Sequence, residues 1–151
     1  MSPSQLPGRG LLDTNTVILL PRLDDPRRLP GEAFISAVTL AELSVGPLVA
    51  RTDRESAARQ AQVQQAEADF DAVPFDAPAA RAFGQVAADL RTAGRKPSAR
   101  AYDALIAATA IANDLPLYTV NPTDYEGITS LRVVPITHPD ARLGDLGSVD
   151  S

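Results

Sequence analysis

The feature that most constrains this chain is an alternation. Short apolar stretches at residues 10–13, 33–39, 72–76, 116–120 and 131–136 are separated by segments whose apolar residues recur at helical spacing or by polar turns. Residues 14–20 read as a short helix broken by Pro21, and 40–47 as a second that can run past Pro47 in a new turn. Residues 53–71 read as a long amphipathic helix, with Ala57, Ala61, Val63, Ala66 and Phe70 along one side. Residues 77–93 carry Phe83, Val86, Ala87 and Leu90 on one face, with Gly94 as the C-terminal stop. Residues 102–113 form an alanine-rich, nearly all-apolar helix, the kind buried against a sheet. Strands alternating with helices predict an α/β fold, a mostly parallel sheet of four to five strands covered on both faces.

Composition narrows the chemistry. At 151 residues, 44% hydrophobic and 22% charged, the chain has the size and balance of one soluble domain with one core. No apolar run approaches the length of a membrane span, and residues 1–9 lack the pattern of a secretion signal, which together predict a cytoplasmic protein with no membrane partner. There is no cysteine and a single histidine, His138, so disulfides, thiolate zinc sites and cysteine nucleophiles are excluded and any metal must be held by oxygen. The formal net charge is −5, which does not announce a nucleic-acid binder, but carboxylates gathered around a cation would leave the remaining surface less acidic than that sum. Lys96 is the only lysine; the arginine bias suits phosphate contact or reflects a GC-rich genome.

In a parallel sheet the functional crevice lies beyond the carboxyl ends of the strands. Four acids map to that edge: Asp13 ends the first strand, Glu42 follows the second, Asp103 opens the buried helix, and Asp124 follows the fourth strand. Each also has a local structural explanation. Asp13 can cap a helix, Thr39 and Glu42 fit a capping box, Asp103 complements a helix dipole, and Asn121 with Asp124 suits an Asx-type turn. Context favours chemistry at two of them. Glu42 sits among Leu40, Ala41 and Leu43, and Asp103 precedes Ala104, Leu105 and Ile106, so both carboxylates emerge from apolar walls. Carboxylates buried without partners take up protons or need a cation. Magnesium or manganese, accepting one or two carboxylates while keeping waters, resolves the conflict and can activate water against a phosphodiester.

The segments "LLDTNTVI", "AVTLAELSVG", "YDALIAATA" and "TVNPTDYEG", followed by "LRVV", resemble the PIN-domain family, and within it the VapC toxins of bacterial toxin–antitoxin pairs. The resemblance spans about residues 9–137, so residues 1–137 are expected to form one PIN domain and 138–151 a mobile tail. It implies a three-layer α/β/α sandwich and a magnesium- or manganese-dependent ribonuclease leaving a 5′-phosphate and a 3′-hydroxyl. The implied partners are RNA and a small antitoxin whose tail enters the acidic cleft, in a homodimer or a toxin–antitoxin hetero-oligomer. Asp13, Glu42 and Asp103 fall on the family's metal-holding acids, with Glu42 as ligand or as orienter of the attacking water. "TVNPTDY" resembles a Thr-x-Asp/Asn-x-x-Asp-Phe stretch, leaving Asn121 or Asp124 as the fourth position and one or two metal ions open. Asn15 and Thr119 match supporting, hydrogen-bonding positions, and Arg100 is a candidate phosphate contact or a solvated surface residue.

Two alternatives remain from the sequence. A PIN fold with a degraded site would be a non-catalytic RNA-binding or assembly module. A haloacid-dehalogenase phosphatase is approximated by "DTNTV" and "GDLGSVD", but Asn15 replaces its general acid and no lysine follows the fourth strand. The apolar residues 17–20 and 43–49 are either core or contacts for a second copy or an antitoxin.

Overall fold

The computed structural model describes residues 8–141. Five strands, β1 (Arg9–Leu12), β2 (Glu32–Ser36), β3 (Asp71–Val73), β4 (Leu117–Thr119) and β5 (Val133–Pro135), form one sheet in the order β3-β2-β1-β4-β5. Every neighbouring pair is parallel. The helices are α1 (Thr14–Leu19), α2 (Ala37–Val45), α3 (Asp53–Asp69), α4 (Ala77–Thr92) and α5 (Ala101–Ala112). Among the described residues no helix is long and apolar enough to cross a membrane.

Successive side chains of a strand point to opposite faces, and here both faces are covered. Leu11 and Leu117 pack with Val86, Leu90, Ile106 and Ala107 of α4 and α5. Their neighbours Leu12 and Tyr118, with Ile35, pack with Val17, Leu43 and Val63 of α1, α2 and α3. The expected three-layer sandwich is therefore observed. The alanines of α5, with Ala104, Ala107, Ala108 and Ala110 all buried, let it lie close to the sheet and to α4. Gly10 permits a comparable approach between strands, because a Cβ there would stand 2.5 Å from Tyr118 Cε1 and 3.1 Å from Pro30 Cβ.

Local capping sets several boundaries. The second strand, expected through Thr39, ends at Ser36, whose hydroxyl accepts the Val38 N–H at 3.0 Å and starts α2. This cap overrides the β-branched character of Val38 and Thr39. The Thr39–Glu42 capping box is consequently absent, since Thr39 lies inside α2. The third strand is cut short at Val73, and Asp76 accepts the Ala79 N–H at 3.3 Å to begin α4. That helix stops at Thr92, and the expected stop residue Gly94 follows its C-cap with a φ of 76° that favours glycine. Of the tail expected at 138–151, residues 138–141 form a turn closed by the Ala141 N–H on the His138 carbonyl at 3.0 Å; the rest lies outside the described residues, as do residues 1–7.

The strand order dictates where a site can form. From β1 the chain steps outward to β2 and β3, then returns across the sheet to β4 and β5 on the other side. The order therefore reverses between β1 and β4, and the crevice of a parallel sheet lies beyond the carboxyl ends of such a pair.

Candidate active site

Asp13 stands at that reversal, immediately after β1 and 3% exposed. Its Oδ1 accepts the Thr16 N–H at 3.1 Å and the Thr16 hydroxyl, so it caps α1. Its Oδ2 accepts the Thr119 hydroxyl at 2.6 Å and the Tyr125 hydroxyl at 3.0 Å. Capping fixes one oxygen while the other faces the end of β4.

Three further elements converge there. Thr119, the last residue of β4, is fully buried, and its hydroxyl also accepts the Asn121 N–H at 2.9 Å, tying the following turn to Asp13. That turn, Pro122–Tyr125, is one turn of 3-10 helix, and it carries Asp124, whose side chain is 20% exposed, and Tyr125, buried to 2% exposure. Asp103, in the first turn of α5, is half-buried with Oδ1 3.4 Å from the Tyr125 hydroxyl. Arg100, at the start of α5, pairs with Asp124 at 2.7 Å and approaches Asp103 at 3.9 Å.

Negative charge dominates the electrostatics. Burial pushes the Asp103 carboxyl up from 3.8 to about 6, and the charges of Asp124, Asp13 and Glu42 push the same way, with Arg100 opposing them. Glu42, on α2, is also raised, chiefly by burial and to a lesser degree by Asp13, while the Thr14 hydroxyl, donating to its Oε1 at 2.7 Å, pulls it back. Burial, then the charge of Asp13 and Asp103, holds the Tyr125 hydroxyl well above its ordinary value, so it remains a donor.

Tyr125 and Arg100 thus link Asp13, Asp103 and Asp124 in one network. Glu42 joins through charge and through Thr14, with no hydrogen bond to the other acids among the described residues. Asn15 is exposed, and among the described residues its side chain makes no hydrogen bond to them. It lines a surface cavity of about 380 Å³ with Thr14, Ile18, Glu42 and Arg59. Asn121 contributes its backbone N–H, to Thr119.

The sequence reading overlooked Tyr125, Thr14 and Thr16. "TVNPTDY" ends on tyrosine where the pattern it resembles ends on phenylalanine, and that hydroxyl is the signal that was available. Thr16 falls three residues after Asp13, a spacing that capping uses.

The donors suit a hard cation. Every acidic group here offers oxygen alone, and the Asp103 carboxyl, raised first by burial and then by three neighbouring acids, has only Arg100 opposing them. Among the described residues no three His, Asp or Glu side chains enclose a common metal position. Magnesium does not need such a cage, since it binds one or two carboxylates and keeps waters.

The sequence profile of the PIN domain matches residues 11–123, three quarters of the chain. The chain belongs to the PIN-domain family. The matched span contains Asp13, Glu42, Asp103 and Asn121 and stops one residue before Asp124. Ribonuclease VapC5 of Mycobacterium tuberculosis is 33% identical over 137 residues, covering 88% of this chain and 99% of the relative. Ribonuclease VapC1 of Rickettsia felis is 26% identical over 133 residues, covering 86% and 98%. The crystal structure of VapBC-5, a toxin–antitoxin system of Mycobacterium tuberculosis, superposes with a TM-score of 0.72 at 33% identity, over 86% of this chain and all of its match. FitAcB of Neisseria gonorrhoeae superposes at 0.66 with 28% identity, over 85% and 96%. Family membership removes the phosphatase alternative, whose late motif at residues 144–150 lies outside the described residues.

Proposed function

We propose that this chain is the toxin of a toxin–antitoxin pair, an endoribonuclease that hydrolyses RNA phosphodiester bonds in the crevice between β1 and β4 with Mg²⁺ or Mn²⁺. The observation that carries the reading is the convergence of buried Asp13 and half-buried Asp103 at the reversal of strand order, with the Asp103 carboxyl raised to about 6 by burial and by three other acids. Likeness to proteins named ribonucleases supports the reaction class.

Asp13 and Asp103 are the residues that would hold the cation, with Glu42 and Asp124 or Asn121 reached directly or through water. When bound, it supplies positive charge for the phosphodiester transition state and acidifies water. Thr16 and Thr119 fix the orientation of Asp13. Glu42, raised by burial and held at 2.7 Å by Thr14, would serve as ligand or orient the attacking water. Arg100, about half exposed beside Asp124, would contact a phosphate once it releases that partner.

The reading extends to a single PIN domain over residues 1–137, RNA as substrate, the cytoplasm as its compartment and a small antitoxin as partner, supported by neighbours described as toxin–antitoxin systems. The apolar segments divide. Val17 and Leu43 belong to the core, whereas Ile18, Val45, Leu48 and Val49 are exposed and available to an antitoxin or a second copy.

The test is cleavage of labelled RNA by the purified chain in Mg²⁺, Mn²⁺ or EDTA, alongside Asp13→Asn and Asp103→Asn. Cation-dependent cleavage lost in both variants is expected; undiminished cleavage in both variants would show that the site is elsewhere. Expression with and without the neighbouring chromosomal gene, with mapping of RNA 5′ ends, reads toxicity and target together.

A further inference from the structure

An ionised carboxylate offers about four lone-pair directions, and at Asp13 the protein fills all of them. Two donors come from Thr16, one from Thr119 and one from Tyr125. A cation held by Asp13 must therefore displace a donor, and three of the four are built into the frame. The Thr16 N–H belongs to the first turn of α1. The Thr16 hydroxyl is buried and also accepts the Val120 N–H at 3.2 Å. The Thr119 hydroxyl is buried and accepts the Asn121 N–H at 2.9 Å.

The Tyr125 hydroxyl differs from these. It lies between two acids, 3.0 Å from Asp13 Oδ2 and 3.4 Å from Asp103 Oδ1, and it has one proton to share between them. Rotation about its C–O bond transfers that hydrogen bond without moving the backbone or the buried ring. We infer that the Tyr125 hydroxyl is a placeholder for the cation, occupying an Asp13 lone pair in the metal-free protein and withdrawing from it when the ion binds. The inference rests on the metal-dependent reading above. It makes Tyr125 a positioning residue that keeps two like-charged carboxylates together without an ion, at the expense of ion affinity.

The test is calorimetric titration of the EDTA-treated, dialysed chain and its Tyr125→Phe variant with Mn²⁺, together with melting curves with and without the ion. Phenylalanine retains the ring, so the variant should melt lower without metal, bind Mn²⁺ about tenfold more tightly, the scale of one charge-assisted hydrogen bond, and gain more from the ion than the parent does. A hydroxyl with a merely structural role would lower both melts equally and leave affinity unchanged. Equal or weaker Mn²⁺ binding by the variant overturns the inference. A second readout does not need that variant to fold: in the parent, Mn²⁺ should perturb the near-ultraviolet tyrosine band, and in Tyr102→Phe the perturbation should persist. Its absence from the parent, or its loss with Tyr102, overturns the inference. Absence of Mn²⁺ binding in both proteins overturns the metal reading as well, whereas binding by both with unchanged affinity overturns the placeholder alone.

Discussion

Replacing Asp103 with asparagine should stabilise the metal-free protein near neutral pH, although it removes a residue proposed to hold the cation. The Asp103 carboxyl is displaced from 3.8 to about 6 by burial first, then by Asp124, Asp13 and Glu42, against the pull of Arg100. Because the folded-state value is the higher one, the native protein binds more protons than the unfolded chain between the two values. The stability this carboxyl contributes is therefore greatest below the unfolded value, falls as pH rises through about 6, and stays low above. A shift of about two units corresponds to at most ~3 kcal/mol. Solvent screening at a side chain 29% exposed reduces this to about 1–2 kcal/mol. Asparagine matches the shape, carries no charge and keeps an oxygen for the Tyr125 hydroxyl. At about 2–4 °C per kcal/mol for a domain of this size, Asp103→Asn should melt about 2–8 °C above the parent in EDTA near pH 7, with the difference vanishing below about pH 4. The chain has no tryptophan, so circular dichroism is the direct readout. Saturating Mg²⁺ should narrow the gap by stabilising the parent alone. Matching pH profiles for the two proteins, or a less stable variant near neutrality, would refute the argument that burial and repulsion strain this carboxyl.

Gly10→Ala should lower the urea midpoint by the equivalent of about 1–3 kcal/mol, because its Cβ would stand 2.5 Å from the ring of Tyr118, which is itself buried in the core; an unchanged midpoint would show that the ring gives way freely. Leu48→Glu, at a side chain 85% exposed, should leave stability within about 0.5 kcal/mol of the parent while weakening antitoxin binding or self-association in sedimentation. Lost stability with intact association would contradict both halves of that expectation. Arg100→Gln should raise KM for RNA and flatten its salt dependence, with kcat near the parent value; a fall in kcat at unchanged KM would exclude a phosphate contact.

The alternation of apolar stretches sufficed for the parallel sheet because its central strands, β1 from Gly10 onward and β4, are buried on both faces, and such burial leaves a continuous apolar run in the sequence. Asp13, Glu42 and Asp103 were legible for a related reason: each interrupts an apolar segment, Asp13 and Asp103 at element junctions and Glu42 within α2. The end of β2 was not legible, since the Ser36 hydroxyl and the Val38 N–H compete with a β-branched run that looks equally like strand. The apolar segments of α1 and α2 were only half legible, because Val17 is core while Ile18 is exposed, and which side faces inward depends on where the sheet lies. Support for Asp13 was hidden by distance along the chain. Thr119 and Tyr125 lie 106 and 112 residues away, and strand order alone brings them beside it.

The donors chosen for these acids carry an argument of their own. Asp13 is held by two threonine hydroxyls, a tyrosine hydroxyl and a backbone N–H, and Glu42 by Thr14. All are neutral. A salt bridge would orient a carboxylate equally well but would offset its charge, leaving less attraction for a cation; neutral donors fix geometry and leave the charge in place. Arg100, the positive group in this network, has its close contact with Asp124 and stands 3.9 Å from Asp103. The network is thus graded, with charge compensated at its rim and uncompensated toward Asp13. Burial raises the Asp103 carboxyl first and the neighbouring acids add to it, leaving a crevice whose negative charge a small divalent cation is suited to offset.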